Sequence, residues 1–244
     1  GRFCVEQLAA AGVDVGLVRT DPSLQTGLTV SISDRDRALV TYPGAMEGLR
    51  ADNVTEGVLA QFSHLHVSAY FLQRGLRPGL PSLFRRARAL GLTTSFDPGH
   101  DPYNEWGDGI RDVFRQASVL LLNKVELELT TGTADIEQGL GQLTSDSTIA
   151  VVKLGACGSA ALGASGVVER VPAMKVEVVD TTGAGDSFNA GFLHAWLRGW
   201  GLAKALRCGV VCGSLSTRGL GGCEAQPDAT ELQELLVRFE TTPR

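Results

Sequence analysis

Short apolar runs alternate along this chain with longer stretches that have a helical pattern of apolar residues. The apolar runs lie at residues 65–69, 92–97, 118–122, 149–154 and 176–179. The helical stretches lie at residues 54–62, 80–90, 103–116, 134–143 and 187–200. Strands that are apolar on both faces need helices on both sides of their sheet, and strand–helix alternation favours parallel pairing. The sequence therefore predicts an α/β fold with a mostly parallel central sheet between two helical layers.

Two regions depart from this alternation, and both predict antiparallel hairpins. Residues 27–33 and 37–42 alternate polar and apolar side chains around a polar turn at 34–36, which predicts a hairpin with one face in water. Such a hairpin would form a lid beside the main sheet, and its exposed edge makes it a candidate surface for a homodimer. Residues 159–171 predict a second hairpin with its turn at 164–166.

Charge, apolar run length and cysteine content argue against several classes of partner. The 22 basic and 27 acidic side chains leave a net charge of -5, which gives no general attraction for nucleic acid. The longest apolar runs, such as residues 119–122, are far shorter than the ~20 residues of a membrane-spanning helix. Five cysteines are an odd number without the pattern of a disulfide framework, so we expect a reducing, cytoplasmic location.

Two pairs of residues have a spacing at which both members could contact one metal ion. His64 and His66 are two positions apart in a predicted strand, and Cys208 and Cys212 are four positions apart. A protein metal site needs further ligands and supporting hydrogen bonds, which neither pair supplies. We therefore expect the histidines in the core or at the edge of the sheet, and the two cysteines in the core.

Polar side chains follow the predicted strands at the ends where an open parallel sheet binds its ligands. They are Tyr70, Asp97, Asn123, Glu126, Lys153 and Asp180. An ordinary α/β domain would also have polar residues there, because its loops contact water. The cluster alone therefore leaves both interpretations open. If it is a binding crevice, Ser68, Tyr70 and Asp97 are the candidate substrate contacts.

The most specific feature is the segment VVDTTGAGDSF at residues 178–188, where a strand runs into a glycine-rich turn and a helix begins. Gly183 and Gly185 have no Cβ, so backbone N–H groups there can turn toward an anion. The positive end of the following helix dipole points to the same place. Asp186 lies in the first turn of that helix, where a carboxylate beside a phosphate is suited to accept a proton from an attacking hydroxyl.

A structural alternative is that Asp186 only caps the helix, which is worth roughly 0.5–2 kcal/mol. For a lone aspartate at a helix start, the cap would be favoured. The combination of a strand end, two threonines, paired glycines and the aspartate favours the functional interpretation. The segment matches neither the lysine-containing phosphate loop nor the dinucleotide-binding glycine pattern.

The segment DTTGAGDSF at residues 180–188 resembles the C-terminal signature of the ribokinase-like (PfkB) carbohydrate kinase family. Other segments similar to family motifs are NKVE at 123–126, KLGACG at 153–158, Gly221-Gly222 followed by Pro227, and the lid at 27–42. The resemblance extends through essentially the whole chain. It implies a single ribokinase-like three-layer αβα sandwich over residues 1–244, with a lid insertion at about 25–43.

The resemblance implies a kinase that uses ATP to phosphorylate a hydroxyl of a sugar or sugar-like molecule by direct in-line transfer. Asp186 would be the base, and Gly183, Ala184 and Gly185 would form the anion hole for the transferred phosphoryl group. The residues that the resemblance places near the nucleotide are Asn123, Lys153, Gly155, Gly158, Gly209 and Gly213.

The same resemblance implies two kinds of cation. Glu126 would help to organise Mg²⁺ through water. Asp180 and Thr182 are candidates for the monovalent-cation site of the family, which usually holds K⁺.

Three features depart from the family pattern. Family members begin with a strand and a glycine-rich segment that grip the sugar, whereas Gly1 leads directly into a predicted helix, so we expect the N-terminal strands to be missing. The run after Asp97 lacks the arginine that fructokinase-like members often carry, and Lys153 stands where Thr or Ser is more common. Two alternatives therefore stay open: a nucleoside or vitamin-precursor kinase on the same fold, and a nucleotide- or sugar-binding regulatory module without catalysis.

Overall fold

The computed structural model describes residues 1–33 and 37–241 of the chain. Its strands are β1 Leu28–Ser33, β2 Arg37–Tyr42, β3 His64–Val67, β4 Thr93–Phe96, β5 Val119–Asn123, β6 Ile149–Lys153, β7 Ser159–Leu162 and β8 Val168–Val171. Its helices are α1 Arg2–Ala10, α2 Glu56–Leu59, α3 Leu80–Ala89, α4 Asp108–Phe114, α5 Lys124–Thr131, α6 Ile136–Leu143, α7 Ala184–Trp196, α8 Leu202–Ser216 and α9 Ala229–Thr241. Within these two ranges, no helix combines the length and the apolar character that crossing a bilayer requires.

Six strands form the central sheet in the order β3-β4-β5-β6-β7-β8. Strands β3 to β6 pair in parallel, and β7 and β8 continue the sheet as an antiparallel hairpin. The mostly parallel sheet and the hairpin within residues 159–171 are therefore confirmed. Parallel pairing brings the carboxyl ends of β3 to β6 to one edge, and the polar residues of the candidate site lie at that edge.

Alternate residues of β5 face two separate hydrophobic cores. Leu120 and Leu122 belong to the core with α3 and α4, whereas Val119 and Leu121 belong to the core with α7 and α8. All four side chains are fully buried, as expected for a strand between two helical layers. A smaller cluster joins α5 and α6 to β6 and β7. The predicted three-layer αβα arrangement is confirmed.

The lid is a separate two-stranded antiparallel sheet of β1 and β2, as predicted. Leu28 is opposite Tyr42 and Val30 is opposite Val40, so these four side chains share one face of the lid. Each of the four is at least half exposed. The predicted turn of this hairpin, at 34–36, lies outside the described residues.

The prediction of a strand at residues 176–179 is wrong. Val178 and Val179 are more than half exposed, and the Val179 N–H donates to the carbonyl of Thr217, beyond the end of α8. The position beside β6 that a further parallel strand would take is occupied by β7. The segment therefore lies outside the sheet and forms part of the connection from β8 to α7.

The first residues of two helices at the site are set by their N-cap residues and not by the pattern of apolar residues. Helix α7 begins at Ala184, before the predicted start at 187, because Gly183 adopts a left-handed conformation as its N-cap. Helix α5 follows β5 directly, where no helix is predicted, and the side chain of Asn123 caps it.

Helices α7 and α8 approach closely because small residues line their contact. A Cβ built at Gly191 would lie 2.5 Å from the carbonyl oxygen of Cys208 and 2.7 Å from Sγ of Cys212. A Cβ built at Gly209 would lie 2.9 Å from the ring of Phe188. Cys208 and Cys212 are buried in this contact, which confirms that they are core residues. The close approach places the first turn of α7 beside the second half of α8.

Gly191→Ala should destabilise the protein by roughly 1–3 kcal/mol, because the new methyl group meets a backbone carbonyl that cannot move cheaply. Urea unfolding followed by circular dichroism measures the effect. Gly141→Ala in α6 is the matched control, since no atom lies within 4 Å of a Cβ built there. The control should be neutral or stabilising by up to about 1 kcal/mol. Equal effects of the two substitutions would contradict the close contact.

Candidate active site

Gly183 allows the turn before α7 to pack closely against a neighbouring loop. Its φ is +71°, in the left-handed region, and it is the N-cap residue of α7. A Cβ at this position would lie 2.9 Å from the Cα of Gly222. Both the backbone conformation and the close packing therefore require glycine at 183.

Backbone N–H groups at the start of α7 are available for a ligand. Those of Gly183, Gly185 and Asp186 have no acceptor within the part of the chain that the structure describes. The Ala184 N–H donates to the Thr181 carbonyl at 3.3 Å, so it is partly used within the turn. The helix dipole adds positive potential at the same place. The turn can therefore bind an anion, with Asp186 contributing an amide that sequence analysis did not include.

Asp180 holds this turn against the loop at 221–226. Its Oδ1 accepts hydrogen bonds from the backbone N–H and the hydroxyl of Thr182 at 2.9 and 2.8 Å. Its Oδ2 accepts from the Gly221 N–H at 2.9 Å. The side chain of Gln226 donates to Ser187 Oγ at 3.2 Å, which adds a second link between the loop and α7.

A buried ion pair joins the carboxyl ends of β4 and β6. Lys153 Nζ donates to Asp97 Oδ2 at 2.7 Å and to Asn189 Oδ1 at 3.2 Å, and Asn189 Nδ2 donates to the same Asp97 oxygen. The Gly99 N–H donates to Asp97 Oδ1 at 2.9 Å. Burial raises the pKa of Asp97, but Lys153 and these hydrogen bonds outweigh it and hold the pKa below its usual value. Asn189 extends the contact to α7.

Asn123 and Glu126 form a capping box at the start of α5. The Asn123 N–H donates to Glu126 Oε2 at 2.8 Å, and Asn123 Nδ2 donates to Oε1 at 2.6 Å. The Glu126 side chain is buried, and its burial together with the charge of Asp97 raises its pKa to about 7. Lys153 and the Asn123 N–H oppose the rise. The carboxyl group of Glu126 therefore keeps its proton to a higher pH than an ordinary glutamate does.

Asp186 is exposed at the open side of the site. Nearby protein atoms remove part of its water shell, and this loss together with the charge of Asp97 raises its pKa. Lys153 and His66 oppose the rise. His66 lies on the edge strand β3, where its Nδ1 hydrogen-bonds to Ser95 Oγ at 2.7 Å, in agreement with the prediction that it is an edge residue. Asp186 is therefore close enough to the sheet edge to interact with its charged groups.

A cavity of about 790 Å³ opens beside the motif turn. This volume is in the range of small-molecule binding sites. Apolar side chains that line it include Pro172, Met174, Val176, Val178, Phe188 and Val210. Ala184 and Gly185 also line it, so the cavity borders the first turn of α7, where the available N–H groups lie.

Four of the residues predicted to lie near a nucleotide line this cavity: Lys153, Gly155, Gly158 and Gly213. Gly155 and Gly158 have φ values of +57° and +92°, and a Cβ at Gly158 would overlap the carbonyl of Val171. Glycine at 158 is therefore needed for the turn that forms this part of the wall.

Two other predicted nucleotide residues do not line the cavity. Asn123 is held in the capping box with Glu126, at the sheet edge. Gly209 packs against the ring of Phe188 in the contact between α7 and α8. Gly209 therefore acts on the cavity through helix packing.

The expectation that Tyr70 faces the crevice is wrong. The residue is only 4% exposed, and its ring packs edge-on against Phe71 and Phe96 with centroids 5.2 and 5.6 Å away. The guanidinium of Arg77 lies 4.8 Å from the same ring. Ala69, with φ of +54°, turns the chain after β3, so Tyr70 enters the hydrophobic core. Ser68 is partly buried beyond the end of β3.

Asn189 and the segment 172–178 belong to the site, although sequence analysis missed them. Asn189 is 3% exposed and contacts both members of the ion pair. It lies three residues after Asp186, and that helical spacing would have placed both on one face. The apolar residues at 176 and 178, interpreted as part of a strand, instead line the cavity.

The acidic residues are better suited to hold a magnesium ion through water than to surround it completely with protein ligands. In the described ranges, no three His, Cys, Asp or Glu side chains are grouped as metal ligands. The carboxylate oxygens of Asp97 and Glu126 already accept the hydrogen bonds given above. Mg²⁺ keeps several waters and commonly takes one or two carboxylates plus substrate phosphates, so the residues present fit it in that manner. Asp180 and Thr182 lie together in the turn, bonded to each other.

Glu126→Gln should change how the stability of the protein depends on pH. The pKa of Glu126 is about 7 in the folded chain, above its usual 4.5, so the folded state binds this proton more tightly than the unfolded state. The resulting stabilisation is full below about pH 4.5 and is lost as the pH rises through 7. As the pH rises across this range, the free energy of unfolding of the wild type should fall relative to that of the variant. The fall should be about 1.4 kcal/mol for each unit by which the pKa of Glu126 differs between the folded and unfolded states.

Urea unfolding at pH 5 and pH 8 in EDTA measures this difference. Glu128→Gln, an exposed position on the same helix, is the control and should give the same difference from wild type at both pH values. If Glu126→Gln also differs from the wild type by the same free energy of unfolding at both pH values, the pKa of the Glu126 carboxyl group is not raised by folding.

Comparisons with known protein families, sequences and structures agree on one family for this chain. The family model for pfkB family carbohydrate kinases matches residues 1–229. A fructokinase from Klebsiella pneumoniae is 32% identical over 259 residues, covering 97% of this chain and 82% of that protein. The crystal structure of a Vibrio cholerae O395 fructokinase with bound fructose, ADP and calcium ion is 25% identical, with a TM-score of 0.77 over 96% of this chain and 81% of that one.

Solved structures can match the fold of this chain closely even where the sequence identity is low. The crystal structure of a ribokinase II from E. coli in complex with ATP and Mg²⁺ has a TM-score of 0.87 at 24% identity, covering 96% of this chain and 78% of that one. The range matched by the family model contains every residue placed in the site above. Enzymes of this kind use ATP to phosphorylate sugar-like substrates. By fold, motif and family match, the chain belongs to the pfkB family of carbohydrate kinases.

Proposed function

We propose that this chain phosphorylates a hydroxyl of a sugar or sugar-like small molecule by direct in-line transfer from ATP, with Asp186 as the base. The observation that carries the proposal is the position of Asp186. Its carboxylate stands on the same helical turn as backbone N–H groups that lack an acceptor among the described residues. An acceptor hydroxyl and a transferring phosphoryl group would meet at that turn.

The cavity beside α7 would hold the nucleotide. Met174, Val176 and Phe188 offer apolar surface for the base and ribose. The turns at Gly155 and Gly158 would let backbone atoms approach the nucleotide closely. The terminal phosphate would then reach the anion-binding turn at 183–185. The E. coli ribokinase II of the same fold was crystallised with ATP and Mg²⁺, so a protein of this fold can bind that nucleotide.

Cations would complete the site without a dedicated protein cage. Mg²⁺, when bound, neutralises charge on the phosphates, and Glu126 would hold it through water. We assign a K⁺ ion to the turn braced by Asp180 and Thr182, where it would stabilise the loop that carries the anion hole.

Asp186 would accept the proton of the acceptor hydroxyl as that oxygen attacks the γ-phosphorus. Loss of hydration and the charge of Asp97 raise the pKa of Asp186, which makes it a stronger base than an ordinary carboxylate. Ser68 and Asp97, at the ends of β3 and β4, would lie on the acceptor side of this group.

Asp186→Asn should lower kcat roughly 10²–10⁴-fold, because the amide keeps the shape of the side chain but cannot take the proton. ATP binding, measured by calorimetry, should be retained. Formation of phosphorylated product from ATP and a panel of sugars, nucleosides and vitamin precursors measures turnover. A variant that keeps more than about a tenth of the wild-type rate would contradict the role of Asp186.

Asp112→Asn is the matched control, since Asp112 is exposed and forms its ion pair with Arg115, three residues further along the chain. It should keep the wild-type rate. Wild-type protein that binds ATP but phosphorylates none of the acceptors would favour a regulatory binding module instead.

We also propose that the lid forms a homodimer interface. Leu28, Val30, Val40 and Tyr42 are 63%, 50%, 60% and 52% exposed on one face of the lid. A two-stranded sheet is only marginally stable by itself, so burial of this face against a second copy would stabilise it.

The double variant Val30→Glu/Val40→Glu should shift the molar mass in solution from a dimer to the 25.8 kDa monomer, because two directly opposed residues would bring charge into the interface. Light scattering after size exclusion gives the mass. Thr29→Glu, on the opposite face of the same strand, should leave the dimer intact. A wild-type mass of 25.8 kDa would overturn the dimer.

A further inference from the structure

Lys153 lies between the nucleotide cavity and the acidic sheet edge. Its side chain is only 14% exposed, and its ammonium contacts Asp97 and Asn189. The same ammonium lies 3.6 Å from the point where a Cβ on Gly185 would be. Lys153 also lines the cavity together with Gly155 and Gly185. Its charge is therefore at the wall of the cavity, beside Gly185 in the turn with the available N–H groups.

Lys153 is the positive charge among three acidic side chains at the site, so it affects how a phosphate can bind there. The carboxyl groups of Asp97, Glu126 and Asp186 all experience the charge of Lys153. A phosphoryl group arriving at the turn would meet these acidic groups as well as the amides. An ammonium beside the amides offsets that repulsion, and lysine binds phosphate as a point charge.

We propose that Lys153 is a catalytic residue whose ammonium contacts the terminal phosphoryl group of ATP, and that Asp97 and Asn189 are positioning residues that hold the ammonium there. This inference rests on the proposed function. In the transfer, the acceptor oxygen forms a bond to the γ-phosphorus, and the bond to the β,γ-bridging oxygen breaks with its electron pair leaving on ADP. The acceptor proton passes to Asp186. The Lys153 ammonium donates hydrogen bonds to the phosphoryl oxygens throughout.

The arrangement of partners explains how the ammonium stays in place before a nucleotide arrives. Burying a lone charge is costly, but a close carboxylate with further hydrogen bonds offsets that cost. Asp97 Oδ2 receives bonds from both Lys153 and Asn189, and its Oδ1 receives one from Gly99. The carboxylate is therefore itself fixed and directs the ammonium toward Gly185.

Comparing the binding of AMP-PNP and AMP tests the contact with the terminal phosphate. In Lys153→Met, the affinity for AMP-PNP with Mg²⁺ should fall about tenfold to a hundredfold, as expected for loss of a hydrogen bond to a charged group. The affinity for AMP, which lacks the terminal phosphates, should not change. Calorimetry measures both. An equal loss for the two nucleotides, or no loss for either, would overturn the proposal.

Two further variants keep the test decisive. Lys153→Met leaves Asp97 buried without its cation, so the double variant Lys153→Met/Asp97→Asn removes both charges and should fold while still lacking the preference for AMP-PNP. Lys204→Met, whose ammonium lies 4.5 Å from the Trp200 ring at the start of α8, is the control for loss of one positive charge. The control should keep the wild-type ratio of affinities. A double variant that regains the wild-type ratio would overturn the role of Lys153.

Turnover separates this inference from the proposed function. If the wild type phosphorylates an acceptor, Lys153→Met should lower kcat more than it raises KM for the acceptor, and the acid limb of the pH profile should move to higher pH. The shift is upward because the ammonium that opposes the rise in the pKa of Asp186 is lost. If the wild type binds AMP-PNP but phosphorylates nothing, the proposed function fails, and the two-nucleotide comparison still decides whether Lys153 contacts the phosphate.

Discussion

The geometry of the site depends on the buried ion pair between Lys153 and Asp97. It joins the ends of β4 and β6, and Asn189 brings α7 into the same contact. Taking two charges out of water costs several kcal/mol per ion, so such a pair is weak evidence of stabilisation. Its clearer effect is on position, because one contact sets the distance between the sheet edge and the helix that carries Asp186.

The same pair explains the titration of Glu126. Strand β5 lies between β4 and β6, and neighbouring strands are about 4.8 Å apart. The side chain of Lys153 must therefore pass over the end of β5 to reach Asp97, which brings both charges near the capping box of Asn123 and Glu126. Burial and Asp97 raise the pKa of Glu126, and Lys153 limits the rise. The environment of the ion pair thus controls a carboxyl group that belongs to a different element.

Much of the scaffold could be predicted because its signals are local, whereas the errors arise where tertiary packing decides. The apolar strands, both hairpins and the glycine turn each depend on residues close in sequence. Residues 176–179 have the apolar pattern of a strand, but β7 occupies the place beside β6. Tyr70 follows a strand as a site residue would, but the turn at Ala69 directs it into the core. The contact between Asn189 and Asp97 depends on how α7 packs against the sheet, which no local pattern encodes.

The three carboxyl groups near Lys153 differ in environment, and the difference separates their roles. The pKa of Asp97 lies below its usual value, and those of Glu126 and Asp186 lie above theirs. Groups whose pKa values are pushed apart can serve different chemistry in one site. Both oxygens of Asp97 are occupied, and Glu126 is buried in its capping box. Of these three, Asp186 is the exposed one and stands beside available amides, so it is the carboxylate that an acceptor hydroxyl can reach. The neighbouring charge that raises its pKa also brings its proton affinity closer to that of the hydroxyl it must deprotonate.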